Sequence, residues 1–201
     1  MGEGCLFVYG SMTEGMVHHR RVMNFIEQSS EGQVRGRVHR LEVGFPALTL
    51  DGGDPVPGSL LVLRDFDTLV KILDEMHGYS SRIPEKSLFV RTEVDVTTPE
   101  GVQKAWVYAM EPSRLPKTAT VIEGGNWKVS LEERQPLTTG LTRNQKVYIQ
   151  RLGRSSGRDI VPINLDLYRE LMGKGLIIDK GRRLALTPLG QECFYFIEDQ
   201  P

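Results

Sequence analysis

Residues 88–110 read LFVRTEVDVTTPEGVQKAWVYAM, and few folds accept such a stretch. Val90, Thr92, Val94 and Val96 fall to one side, while Arg91, Glu93 and Asp95 fall to the other. A period of two belongs to a strand with one covered face. TPEG supplies a turn, and VQKAWVYAM returns as the partner strand. The chain is therefore committed to a sheet with a packed side.

Other segments fit that sheet. CLFVYG is a short apolar run ending in glycine, and SLLVLRD is another, so both read as buried strands. GQVRGRVHRLEVG alternates weakly and reads as a strand that stops before Phe45-Pro46, whereas DGGDPVPG reads as a loop. MVHHRRVMNFI reads as a helix. In the stretch that includes LVKILDEMHGY, Phe66, Leu69, Val70, Leu73 and His77 form one stripe at 3.6 residues per turn. Asp65 or Asp67 is placed to cap that helix, and Gly78 to stop it. These elements predict an α+β chain whose front domain, residues 1–135, is a mixed, largely antiparallel sheet or barrel with a helix laid on it.

Length and charge narrow the function classes. With 201 residues, 39% hydrophobic and 25% charged, the chain can bury one large or two small cores. Net charge is +3 from Gly140 onward and −4 before it, which suggests two units with different partners. Cys5 and Cys193 make neither a disulfide framework nor a metal-ligand spacing. The start MGEGCLFVYG has neither the basic and apolar regions of a signal peptide nor a Ser or Thr at position 6 for myristoylation. No run approaches the ~20 apolar residues that span a bilayer. A cytoplasmic location without membrane partners is expected.

In order, FVYGSM, GFPAL, LDEMHGY, LFVRTEV, AWVYAM and GGNW span residues 5–127. With these motifs the front domain resembles the gamma-glutamylcyclotransferase-like family. The resemblance implies a small α/β barrel-like fold with a pocket for a gamma-glutamyl group and no cofactor. In such enzymes the substrate's α-amine attacks its own γ-carbonyl, closing 5-oxoproline and releasing an amine. The loop Tyr9-Gly10-Ser11-Met12 is implied to hold substrate through backbone N–H groups. Glycine lets the backbone approach, and successive amides make an anion-holding concavity. Amides aimed at a developing oxyanion can each supply ~3–4 kcal/mol.

The family's general base is a glutamate in an Asp-x-x-Glu-Gly pattern, and here Asp74-Glu75-Met76-His77-Gly78 puts His77 in its place. Glu75 lies about 200° around the helix from His77 and points outward, so it is no simple replacement. Three roles are open to His77: the base itself, part of a pocket that binds without turnover, or a buried histidine bonded to backbone. An imidazole also lacks the negative charge that would draw a substrate ammonium.

Tyr79 and Tyr108 either line the pocket or pack with satisfied hydroxyls. Arg91 either meets a substrate carboxylate or pairs with Glu93 or Asp95 at the surface. Trp127 is expected as a plug under the last loop. His18 and His19 are adjacent, so on a helix they face different ways, and without a third ligand no metal site is expected. RSSGRDI is too short to be a phosphate loop.

Residues 140–201 have a different texture. TRNQKVYIQRLG and DLYRELMGKGLI read as helices, IIDKGRRLALT as a tight hairpin, and PLGQECFYFIE as a helix opened by proline. This order resembles a winged helix, which implies a basic wing carrying Lys180, Arg182 and Arg183, with Arg154 and Arg158 adding phosphate contacts. The face of the second helix is mixed, with Asn164, Asp166, Arg169, Glu170 and Lys174 outside. A protein-interaction role therefore stays open beside DNA binding. The function expected is that of a cyclotransferase-like protein with a small-molecule gamma-glutamyl pocket. The alternative is a non-catalytic ligand-sensing or DNA-binding regulator.

Overall fold

The computed structural model describes residues 4–155 and 159–198. Two compact units emerge, one of residues 1–41 and 46–134, the other of residues 42–45 and 135–201.

Among the described residues, the first unit holds six strands and two α-helices. Strands β1 (Gly4–Val8), β2 (Ile26–Arg40) and β3 (Pro46–Leu63) precede helix α1 (Phe66–Met76). Strands β4 (Val90–Thr98), β5 (Gly101–Ala109) and β6 (Thr120–Val121) precede helix α2 (Trp127–Glu133). The sheet runs β3-β1-β5-β4-β2-β6, and β3 also pairs with β2. That extra pairing closes β1, β5, β4, β2 and β3 into a ring, so a barrel replaces open edges. All pairs are antiparallel except β1 with β5, where Leu6 faces Trp106. Inside lie Phe7, Tyr9, Val34, Val38, Leu48, Val56, Leu60, Val96, Ala105 and Val107.

Two expectations fail here for physical reasons. DGGDPVPG lies within β3 rather than in a loop. The register jumps from Arg37–Thr49 to Gly36–Asp54, so Leu50–Gly53 bulge out and the ladder then resumes. Pro55 and Pro57 are tolerated because β1 pairs with β3 no further than Ser59, and that side needs no donor. The segment MVHHRRVMNFI is not an α-helix: His19–Arg21 and Met23–Phe25 are single 3-10 turns. The His18 amide is drawn back to the Ser11 carbonyl at 2.9 Å, which breaks the i to i−4 pattern.

Helix α1 matches its periodicity, burying Leu69 and Leu73 completely and ending at Gly78 with φ +60°. Asp65 is its N-cap residue but sits at φ 48° and makes no side-chain capping bond. The second unit contains α3 (Arg143–Arg154), α4 (Leu165–Gly173), the hairpin β7 (Ile177–Asp179) and β8 (Leu184–Leu186), and α5 (Pro188–Glu198). Thr142 and Gln145 close a capping box on α3. Tyr148, Ile149, Leu171, Leu176, Ile177, Cys193 and Phe196 are buried in this unit. Among the described residues, no helix is long and apolar enough to cross a membrane.

Candidate functional site

The loop after β1 is built around one glycine. Gly10 has φ +58°, and a Cβ there would stand 2.4 Å from Pro46 Cγ and 3.7 Å from Trp127 Cβ. Three separated motifs, FVYGSM, GFPAL and GGNW, therefore converge on this backbone position. Trp127 is buried at the first turn of α2, where the Asn126 side chain accepts from the Val129 amide. The Arg40 guanidinium lies 5.2 Å from the centre of its ring and donates to the carbonyls of Ser130 and Arg134. A buried cation thus caps the C-terminal end of α2.

The amides of Met12 and Thr13 close the 3-10 turn on the carbonyls of Tyr9 and Gly10. Ser11 and Met12 are buried. Tyr9 turns into the barrel, where its hydroxyl donates to the Tyr108 carbonyl at 3.0 Å and accepts from the Leu48 amide at 3.0 Å. Its side chain is therefore committed to the scaffold, and burial pushes its pKa up.

His77 follows the last residue of α1. Its Nδ1 lies 2.8 Å from the Leu73 carbonyl, an acceptor only, so Nδ1 carries the proton and Nε2 the lone pair. The ring stacks on Tyr108 (centroids 3.9 Å apart, planes 6° apart) and meets the edge of Phe89 at 5.4 Å. Burial pushes its pKa down to about 4, against the opposing bond to Leu73 and with a smaller push from His18. The imidazole is neutral at pH 7. Glu75 is exposed on the other side of the helix, as its rotation requires.

Tyr108 connects His77 to a charged cluster. Its hydroxyl donates to Asp74 Oδ1 at 2.6 Å, and burial followed by that bond raises its pKa. The Arg91 Nε lies 3.4 Å from the same carboxylate oxygen, and its guanidinium sits over the rings of Trp106 and Tyr79 at 5.2 and 5.5 Å. Arg91 pairs across the sheet with Tyr108. Both therefore stand on the outer face of the barrel, the face that α1 covers. Of the two roles left open for Arg91, the ion pair is made with Asp74 rather than with Glu93 or Asp95, which hold Lys104. Asp74 was missed in the sequence, although its place three residues before His77 put it on the same helical face.

A second relationship was also missed. His18 Nδ1 lies 3.0 Å from Ser11 Oγ, and both residues are buried. Burial first, then Arg21 and Arg20, pushes the His18 pKa down to about 4. Among the described residues no group of three metal-ligating side chains exists. A cavity of about 560 Å³ opens beside the loop, lined by Gly10, Thr13, Glu31, Gly32, Trp127 and Lys128 among others. His77, Ser11 and His18 are not in its lining.

In the second unit, Lys180, Arg182 and Arg183 are exposed at the hairpin turn, with Gly181 at φ +84°. Arg154 instead holds Glu198 through both its Nε and its terminal nitrogen, at 2.8–3.1 Å. That cation is already matched within its own unit. Arg158 lies outside the described residues.

Residues 6–129 match the family model described as gamma-glutamyl cyclotransferase, AIG2-like. That match covers more than half of the chain, which belongs to this family. No curated protein matches the sequence. The fold is similar to YkqA from Bacillus subtilis (TM-score 0.49, 16% identity, 77% of this chain and 54% of that one). It is also similar to an AIG2-like protein from Mus musculus (TM-score 0.47, 16% identity, 61% and 88%). A third similar structure is a protein from Arabidopsis thaliana (TM-score 0.48, 14% identity, 82% and 95%). The chain thus spans about half the length of the Bacillus protein.

Proposed function

From that membership we propose that the first unit binds a gamma-glutamyl or related amide beside the Tyr9–Met12 loop, with His77 orienting the ligand rather than deprotonating it. The observation that carries this reading is the bond from His77 Nδ1 to the Leu73 carbonyl. It fixes the tautomer and leaves Nε2 to accept a hydrogen bond from an ammonium or amide N–H. As a base the ring is weak. Moving a proton from an α-ammonium, with pKa about 8, to an imidazole near 4 is uphill by about 5 kcal/mol. Asp74, the neighbouring carboxylate, is held by Tyr108 and Arg91. Arg91, framed by Tyr79 and Trp106, is placed to favour an anionic group on the ligand.

The test is a thermal-shift and product assay over a panel of gamma-glutamyl amines and glutathione, following 5-oxoproline. At least one member should raise the melting temperature, and His77→Glu should raise 5-oxoproline output above wild type. No shift and no product with any member, in either protein, would sink this reading.

A second reading attaches to the other unit, as a winged-helix-like module that binds duplex DNA. The three exposed cations at the β7–β8 turn favour it, and the engagement of Arg154 by Glu198 counts against a broad footprint.

A further inference from the structure

We propose that His18 is a built-in occupant of the ligand site, and that a gamma-glutamyl ligand binds only after residues 15–21 swing this imidazole out. This closed state rests on the binding reading above and regulates that same site.

The loop that would hold the ligand is already engaged by the chain itself. His18 Nδ1 lies 3.0 Å from Ser11 Oγ, and the His18 amide donates to the Ser11 carbonyl at 2.9 Å. The next residue, His19, brings its Nδ1 to 3.2 Å from the Met12 carbonyl. Two consecutive residues thus latch the segment onto the Ser11-Met12 pair. His18 also lies within electrostatic reach of His77, since a charge on the first ring opposes a charge on the second. It therefore bonds the loop and approaches His77, the two contacts that the binding reading gives to the ligand. Its ring is neutral at pH 7 and sits there without a counter-charge.

The segment that carries His18 is built to move as a unit. Among residues 13–21 only His18 is buried, while Glu14, Gly15, Val17 and Arg20 are exposed. Its turns are held locally, by the Met16 amide on the Thr13 carbonyl, the His19 amide on Met16 and the Arg21 amide on His18. Short turns of this kind keep their own bonds when they are displaced. Gly15 stands at φ +79°, and a Cβ there would meet nothing within 4 Å, so the backbone before the segment is free to reorient. The far end is anchored: Val22 is completely buried, and Arg64 donates to the Asn24 carbonyl from both Nε and a terminal nitrogen. Opening thus breaks the latch and exposes one ring while the barrel stays folded, a local event.

The experiment measures binding of glutathione and of gamma-glutamyl 4-nitroanilide to the full chain and to His18→Ala by calorimetry, beside urea unfolding of both proteins. At least one probe should bind His18→Ala about tenfold more tightly, the gain expected when a closed state holding about nine-tenths of the molecules is lost. Diethyl pyrocarbonate, which acylates neutral imidazoles, reads the wild-type chain directly. In the free protein His18 should react more slowly than the half-buried His19, and its reaction should speed up once a probe saturates the site. A probe that binds both proteins equally, or that leaves His18 as slow as before, would overturn the closed state while leaving the binding reading intact. A less stable His18→Ala without tighter binding would overturn it too, marking His18 as a packing residue only. No binding of either probe to either protein would remove the binding reading, and the closed state with it.

Discussion

His77 lies flat on Tyr108, with ring centroids 3.9 Å apart and planes 6° from parallel. This contact places the histidine on the outside of the barrel, because Tyr108 alternates with the inward-facing Val107 and Ala109. The sandwich is closed by Phe89 at its edge and by the Leu73 carbonyl below. The neutral ring is held in this slot by stacking and by its Nδ1 bond.

The same packing predicts an acid-sensitive fold. His18 and His77 both have pKa values pushed down to about 4, below the ~6.5 of an unfolded chain. Between those values the unfolded chain binds more protons, so stability falls as pH drops from about 6.5 toward 4. The groups facing them include Ser11, Arg20 and Arg21 for His18, and Tyr108, Phe89 and Leu73 for His77. One such site contributes up to about 3 kcal/mol over that window. Urea midpoints at pH 7, 5.5 and 4.5 should show this slope, and His77→Phe should lose about half of it. An unchanged slope in His77→Phe would refute the assignment.

Tyr9→Phe tests whether this tyrosine serves ligand or scaffold. Its hydroxyl answers two buried backbone groups, the Tyr108 carbonyl and the Leu48 amide. Removing it should cost about 1–3 kcal/mol in urea unfolding. Ligand-induced melting shifts should be preserved. A stable variant that no longer responds to ligand would return Tyr9 to the binding site.

The parts of this fold that show in the sequence are those whose signal is local. The alternation of residues 90–96, the stripe of α1 with its glycine stop, and the helices and hairpin of the second unit all depend on near neighbours. The strand through Asp51–Gly58 does not, because its pairing with β2 tolerates a bulge and two prolines only where β1 has ended. Val17–Phe25 carries helix-like spacing, yet the bond from His18 to Ser11 diverts it. In the site, His77 stood out because the family resemblance implies a glutamate at its position. The partner of Ser11 did not, since two adjacent histidines look like a failed metal motif until the loop folds. Alternation also told which side Arg91 shares, without telling that α1 covers that side.

Gly10→Ala should separate backbone strain from crowding at the loop. The left-handed φ of +58° costs an alanine about 1–2 kcal/mol. The clash with Pro46 adds about 1–3 kcal/mol. Pro46→Ala in the same chain should recover only part of the second cost and none of the first, because the Cβ of residue 46 still stands 2.8 Å away, giving a non-additive pair in urea unfolding. Strict additivity would show that the two residues do not touch.

The hairpin cations give the sharpest test of the second unit. Lys180, Arg182 and Arg183 are exposed on a two-stranded turn held by the Lys180 amide on the Arg183 carbonyl. They can reach phosphates without breaking an ion pair, whereas Arg154 would have to release Glu198 first. If the unit binds duplex DNA, log affinity should fall with log salt at a slope near −0.9 per phosphate contact, so about −3 for three contacts. Replacing all three by alanine should flatten that slope, and Arg154→Ala should change it little while weakening the fold. The effect should be the same across sequences, because phosphate contacts carry no base information. A salt slope near zero for the intact chain, or no binding at low salt, would reject DNA as the partner and leave the unit as a protein-interaction module.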